Sequence, residues 1–319
     1  MSAWPDPIPS VASVESVEHA VQQAAPGAPC RILHLSDPHF GTERADVMAA
    51  LEAFVARARP TLMVLSGDLT QRAQASQYRA ARRFIDRLQQ RCGAPWVAIA
   101  GNHDIPLFNL AARLAWPLRQ YRASICADLE PEYADSCALV LCVNTVRRWR
   151  HKDGAVSRAQ IERVAQRLQR AAPGQLRVVV THQPVHVIEP RERENLLIGH
   201  AEAVRRWAQA GADLILGGHI HSAYVRPLGA SPAGVLPQSW AVQAGTAVSS
   251  RVRREQPNSV NLICYRPAGP RAADGRMLPA ALAVQQWDYR RDAHAAHPVG
   301  DFVRVLETPL LAPDTLAAP

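Results

Sequence analysis

Nine residues in this 319-residue chain have the types and placement to do metal chemistry. In order they are Asp37 and His39, then Asp68, then Asn102, His103 and Asp104, then His182, then His219 and His221. Imidazole, carboxylate and one neutral amide form a borderline-hard donor set, better suited to Mn, Fe, Zn or Co than to Ca or Mg. Asp37 and His39 are two residues apart, as are His219 and His221, so in extended segments both members of each pair point the same way. Glycines precede Asp68, Asn102 and His219, where a tight turn and close approach of the backbone to an ion are needed. Each residue alone has a plain structural explanation: an Asp after a strand caps a helix, and a single His more often packs than ligates. Packing alone does not explain five successive strand ends that carry such residues in order.

The elements that must position these residues follow from the hydrophobic pattern. Apolar runs at 31–36, 61–65, 96–100, 138–143, 176–180 and 213–216 read as buried strands, each ending just before a candidate residue or a turn. Amphipathic stretches at about 45–57, 74–91 and 200–210 read as helices between them. Ser157 is placed to cap another, which runs to about Arg170. From 221 the pattern changes to strands at 221–228, 239–244, 259–265 and 282–287, joined by turns alone. Strand–helix alternation followed by a meander predicts an α/β fold: a four-layer α/β/β/α sandwich of two mixed sheets flanked by helices. In such sheets ligands bind at the carboxyl ends of the strands. Residues 1–28 read as a loose leader, 29–308 as the domain and 309–319 as a loose tail. Pro106, Pro117 and Pro131, with several aromatics, mark a helical lid insertion at about 105–135.

Composition narrows the classes. Apolar residues are 48% and charged residues 20%, which excludes a largely disordered chain. A net charge of +8 and a pI near 9.6 favour anionic partners, although an Arg- and Ala-rich coding bias gives the same charge. The six cysteines form no CxxC pair, no signal-peptide pattern opens the chain, and no apolar run approaches the roughly 18 residues of a membrane span. A cytoplasmic protein with no membrane span is expected.

The series Asp37-x-His39, Gly67-Asp68, Gly101-Asn102-His103-Asp104, His182 and Gly218-His219-x-His221 resembles the calcineurin-like metallophosphoesterase superfamily over roughly residues 31–250. The resemblance implies two divalent or trivalent transition-metal ions (Mn, Fe, Zn or Co). One would take Asp37, His39, Asp68 and His221. The other would take Asp68, Asn102, His182 and His219, with Asp68 bridging. It further implies in-line attack on phosphorus by a bridging hydroxide, with the ions about 3.5–4 Å apart. His103 would stand by the leaving oxygen as general acid or charge stabiliser, and Asp104 would orient it. The segment Gly67-Asp68-Leu69-Thr70-Gln71-Arg72-Ala73 lacks the Asp-Arg-Gly of the phosphoprotein phosphatases, and Asp104 stands where those have Glu.

The chain looks more like the bacterial class III cyclic-nucleotide phosphodiesterases, with a small anionic phosphoester, such as a nucleotide, as partner. Nucleotide pyrophosphates, nucleotide-linked lipids and phosphomonoesters stay open as substrates. An inactive scaffold is the non-enzyme alternative. So is a nucleic-acid-binding protein, disfavoured because no reading motif is found. In the lid, the spacing of Arg113, Arg119 and Arg122 suits one helix face turned to a phosphate or to solvent. Phe108, Trp116 and Tyr121 could stack on a base, cover an acyl chain or simply pack. Two basic clusters, Arg147–Lys152 and Arg251, Arg253 and Arg254, read as solvated surface or as attractors of polyanions. His186 and His200 read as loop residues. The C-terminal strands could supply the edge of a homodimer.

Overall fold

Side-chain alternation along the strands decides which residue enters which layer. In β1 (Cys30–Leu35), Ile32 faces one way and Leu33 and Leu35 the other. The structure, a computed structural model, describes residues 29–107, 109–253, 256–270, 277–278, 280–291 and 300–311. The expected leader, Phe108 and Arg254 lie outside them.

After β1 come α1 (Ala45–Ala58), β2 (Leu62–Leu65), α2 (Ala75–Cys92) and β3 (Trp96–Ala98). Two short helices, α3 (Leu110–Ala115) and α4 (Arg119–Ser124), lead to β4 (Glu132–Ala134) and β5 (Ala138–Cys142). Next are α5 (Arg158–Gln169), β6 (Leu176–Val180), α6 (His200–Gln209) and β7 (Leu214–Gly217). The meander follows as β8 (Tyr224–Ala230), β9 (Gln238–Gln243), β10 (Ser259–Arg266), the short pair β11 (Gly269–Pro270) and β12 (Met277–Leu278), β13 (Ala281–Arg291) and β14 (Gly300–Leu311).

The strands form two six-stranded mixed sheets. The first has the order β14-β13-β10-β1-β2-β3, with β1, β2 and β3 parallel. The second has the order β4-β5-β6-β7-β9-β8, with β5, β6, β7 and β9 parallel. Between the sheets lies an apolar layer that includes Ile32, Val64, Val97, Val140, Val178 and Leu214. On the outer face of the first sheet, Leu33, Leu35 and Met63 pack against Leu51 and Phe54 of α1 and Phe84 and Leu88 of α2. On the outer face of the second, Leu139, Val179 and Ile215 meet Ile161, Val164 and Leu168 of α5 and Trp207 of α6. Each fully buried side chain of this size contributes about 1.5–3 kcal/mol. The α/β/β/α sandwich is therefore observed as four layers with three apolar seams.

Local signals agree with several boundaries. Ser157 caps α5 through its hydroxyl, which accepts from the Gln160 amide at 3.2 Å, and Gln160 reaches back to the Ser157 amide at 3.0 Å. Gly93 ends α2 at φ 73, the left-handed conformation that glycine adopts freely.

Three expectations are corrected. The last strand continues to Leu311, and Pro309 and Leu311 pair with Ala283 and Leu282, so sheet structure extends past the boundary at 308. Residues 132–134 of the expected lid join the second sheet as β4, paired with β5, because their alternation suits an edge strand. The lid helices are two, since Pro117 has no amide hydrogen to continue the first and restricts the residue before it. Arg113 is therefore on a different helix from Arg119 and Arg122.

Candidate metal centre

Both sheets present the carboxyl ends of their parallel strands to one edge, and the loops there carry the candidate residues. From the first sheet come Asp37 and His39 after β1, Asp68 after β2, and Asn102 to Asp104 as a short 3₁₀ turn after β3. The second sheet brings His182 after β6, and His219 and His221 after β7. Of the seven non-glycine residues with positive φ among those described, five are in this set: Asp37, His39, Asp68, His219 and His221. Such conformations cost about 1–3 kcal/mol each and persist only where the surroundings enforce them.

Glycine is required at two neighbours. A Cβ on Gly101 would lie 2.1 Å from Asp68 Oδ1, and one on Gly218 would lie 2.5 Å from Asp37 Oδ2. Gln243 holds the Gly218 carbonyl from the adjacent β9 through its side-chain amide.

Two clusters result, and a third, overlapping group of His39, Asp68 and His103 lies between them. In one, Asp37, His39 and His221 converge: the Nε2 atoms of the two histidines are 3.0 Å apart and lie 3.7 and 3.3 Å from Asp37 Oδ1. In the other, Asp68, His182 and His219 converge, with Asn102 Oδ1 at 3.1 Å from His182 Nε2 and 2.9 Å from His219 Nδ1. Asp68 faces both: its Oδ2 is 3.7 Å from His39, and its Oδ1 is 3.3 Å from His182. Asp37 Oδ1 is buried without a hydrogen-bond partner while two imidazole nitrogens close on it. A buried carboxylate oxygen in that position is unfavourable unless a cation completes it, so the donors fit a metal ion.

One geometric expectation fails. Asp37 and His39 share a cluster, but His219 and His221 serve different ones. The backbone there is not extended. The Ile220 amide donates to the Gly218 carbonyl at 2.8 Å, closing a three-residue turn centred on His219 at φ 73, the rarer and strained sense of the γ-turn.

Backbone carbonyls orient the rings. His182 Nδ1 bonds the Ser66 carbonyl at 2.8 Å, His221 Nδ1 the Arg251 carbonyl at 2.7 Å and His103 Nδ1 the Gln71 carbonyl at 2.9 Å. Each bond fixes a tautomer that turns Nε2 inward. Burial pushes His39 and His219 down to about 3, leaving their lone pairs free to ligate. Burial also pulls on His182, but the Asp68 charge and hydrogen bond outweigh it and push the ring up to about 9. Burial opposes ionisation of Asp37 and Asp68 too; His221 beside Asp37, and His182 and His103 beside Asp68, hold both below the ordinary carboxylate range.

Asp104 does not orient His103. Its carboxylate accepts from the backbone amides of Leu69, Thr70 and Gly101 at 2.9–3.0 Å and from the Thr70 hydroxyl at 2.8 Å. It latches the loop after β2 to the loop after β3, the turn-forming role, and the expectation of a catalytic partner is withdrawn. Burial, then the Asp68 charge, raise it to about 6.

The other candidates divide. Arg113 is buried, and its guanidinium donates to the carbonyls of Arg148 at 2.7 Å and Arg150 at 2.5 Å, so it fastens the lid and does not face a substrate. Tyr121 is fully buried, with its hydroxyl on the Ala98 carbonyl, so it packs the lid down. His186 and His200 line a separate groove, and His200 opens α6, so it is not the loop residue expected. Arg147 is bonded to the carbonyls of Asn144 and Val146. Arg251, which reads from sequence as solvated surface or as an attractor of polyanions, lies at the centre. Its Nη1 is 3.1 Å from His103 Nε2, 3.1 Å from Gln71 Oε1 and 3.3 Å from His39 Nδ1. The only sequence signal was its place in a basic cluster; what brings it in is the bond its carbonyl accepts from His221, thirty residues earlier.

A family model described as calcineurin-like phosphoesterase matches residues 30–223. No curated protein matches the sequence significantly. Among solved structures, the chain is similar to a dimetal phosphatase from Danio rerio at 13% identity and a TM-score of 0.51, over 88% of this chain and 98% of that one. It is also similar to a purple acid phosphatase from yellow lupin (Lupinus luteus) seeds at 12% identity and a TM-score of 0.53, over 83% of this chain and 53% of that one. At such identities these likenesses bear on the fold alone. No helix among the described residues is long and apolar enough to cross a membrane. The matched region spans every strand end that builds the two clusters, and the chain belongs to the calcineurin-like phosphoesterases, metal-dependent hydrolases of phosphoesters.

Proposed function

We propose that this chain is a phosphodiesterase with a two-ion centre, in which Asp37, His39, Asp68 and His221 hold one ion and Asp68, Asn102, His182 and His219 the other. The observation that carries this reading is Asp68, whose two carboxylate oxygens face different clusters at 3.7 and 3.3 Å. Two ions bound there would supply Lewis acidity at the phosphoryl oxygens and a water of lowered pKa.

The residues of the chain supply the rest. His103 presents Nε2 at the mouth of the centre with its other nitrogen tied to Gln71, the arrangement a general acid needs to pass a proton to a leaving oxygen. Arg251 donates to the same nitrogen; by turning instead to a non-bridging phosphoryl oxygen it would draw off developing charge and free Nε2 to carry that proton. Both serve an alkoxide leaving group, which monoesters and diesters alike release; the motif resemblance to phosphodiesterases is what favours the diester. Cyclic nucleotides are the substrates we favour within that class. Six free cysteines, three of them buried, suit a reducing cytoplasm. The exposed Val303, Val305 and Leu306 of the edge strand β14 would suit a homodimer contact.

The test is hydrolysis of bis(p-nitrophenyl) phosphate beside p-nitrophenyl phosphate, with Mn added and then removed by chelation. Faster, chelator-sensitive cleavage of the diester is expected. A consistent preference for the monoester would refute the diesterase reading while keeping the centre.

A further inference from the structure

Beside the centre, on the lid side, lies a cleft of about 730 Å3. Ile105, one residue beyond the Asp104 latch, forms part of its floor, with Asn144 and Val146 on either side of Thr145. The Thr145 hydroxyl bonds Gln183, the chain neighbour of His182, at 2.6 Å. The cleft therefore opens at the same strand edge as the centre.

Its walls are apolar, formed by Trp116, Leu118, Leu129, Val146 and Trp149. Four arginines line it, Arg119, Arg122, Arg147 and Arg148, and no carboxylate does. Arg147 and Arg148 are engaged with backbone carbonyls, Arg148 with that of Leu114. Among the described residues, the guanidinium groups of Arg119 and Arg122 have no hydrogen-bond or ion-pair partner. Trp116 and Trp149 are 65% and 69% exposed, and Leu114, whose carbonyl holds Arg148, is exposed too. Arg113 and Arg148 bolt the 148–150 loop to α3, so these side chains form one continuous surface around the cleft. Arg148 lies over the Trp149 ring at 5.3 Å, while Trp116 and the guanidiniums of Arg119 and Arg122 are left to water, so the cleft has unfilled apolar and anionic demands at once. The size falls within the range of small-molecule sites.

We infer that this cleft binds the alkyl chain of an anionic phosphate amphiphile, with Arg119 and Arg122 pairing with its phosphate. The inference rests on the phosphoesterase reading only for the link to catalysis; the binding stands apart from it. The chain lies against Trp116, Trp149 and Leu118. The charged head stays with Arg119 and Arg122.

The experiment uses the full chain stripped of metal with chelator, so that the centre does not itself hold phosphate. Binding of butyl, octyl and dodecyl phosphate, kept below micelle-forming concentrations, is followed by tryptophan fluorescence and calorimetry. Affinity is expected to rise with chain length, by up to about fourfold per methylene. It should fall at least tenfold in Trp149→Ala and in the double variant Arg119→Ala with Arg122→Ala, while the circular dichroism and Tm of both variants stay at the parent values. Affinity independent of chain length overturns the inference, as does unchanged binding in folded variants. So does association only with phosphatidylglycerol vesicles, which would make the face a membrane contact. Hydrolysis of bis(p-nitrophenyl) phosphate by the parent protein is a separate reading: its presence without alkyl phosphate binding removes the cleft proposal alone, and the reverse removes the diesterase proposal alone.

Discussion

The metal centre and the lid cleft share one edge of the sandwich but are held by opposite means. In the centre, buried side chains are fixed by backbone: carbonyls orient three rings, amides grip Asp104, and left-handed turns aim the ligands. In the cleft, the exposed indoles of Trp116 and Trp149 sit on connecting segments and the guanidiniums of Arg119 and Arg122 on one of two six-residue helices, held down by buried Arg113 and Tyr121. The first arrangement tolerates almost no change in geometry, as a site for chemistry demands. The second leaves side chains adjustable, as suits selection among substrates.

Substitutions should expose this contrast. Asp68→Ala removes the carboxylate common to both clusters and is expected to lower turnover at least about 10³-fold, with bound metal falling below two ions per chain by elemental analysis. Full metal loading with unimpaired turnover would break the assignment. Asp104→Ala leaves the Leu69, Thr70 and Gly101 amides buried without their acceptor, and a loss of roughly 3 kcal/mol in urea unfolding is expected. If Asp104→Asn instead left stability alone and moved the acid limb of the pH–rate profile, orientation of His103 would be reinstated.

Arg251→Met should cost about 10- to 100-fold in kcat/KM without loss of metal, and Arg251→Lys should recover part of it. An unchanged value would mean that the guanidinium leaves the site when substrate binds.

Acidity provides a gentler probe of the same rigidity. His182 is raised to about 9, above the 6.5 of an ordinary imidazole, so its protonated form stabilises the metal-free fold. That contribution is fully present below 6.5 and is lost as pH rises through 9. An ion at His182 must expel this proton, so metal affinity is expected to climb by up to about tenfold per pH unit until near 9, with proton release seen in weakly buffered titrations. Affinity that ignores pH would place the ion elsewhere. The smallest effect belongs to the lid: Leu110→Ser should change stability by no more than about 0.5 kcal/mol, because that side chain is already in water. A larger loss would show that the lid is as tightly built as the centre.

Much of the centre was legible because metal ligands must be particular residue types and strand ends are easy to find. Layering was legible for a similar reason: Ile32 and Leu33 alternate, and each has a partner seam. What stayed hidden depended on backbone groups distant in sequence. Asp104 has the same spelling whether it faces a ring or three amides; only the loop after β2 decides. Arg113 read as facing a phosphate or solvent, and it does neither, because the Arg148 and Arg150 carbonyls hold it. The divergence of His219 and His221 came only with the family resemblance; extended geometry does not suggest the turn at His219 that produces it.

The ligands also divide by origin. Asp37, His39, Asp68 and Asn102 come from chain before the lid, and His182, His219 and His221 from chain after it. Neither portion holds either proposed ligand set complete. A polypeptide severed within the lid and expressed as two pieces would therefore carry a divided coordination set, and recovered metal uptake would be a direct readout of complementation between the pieces.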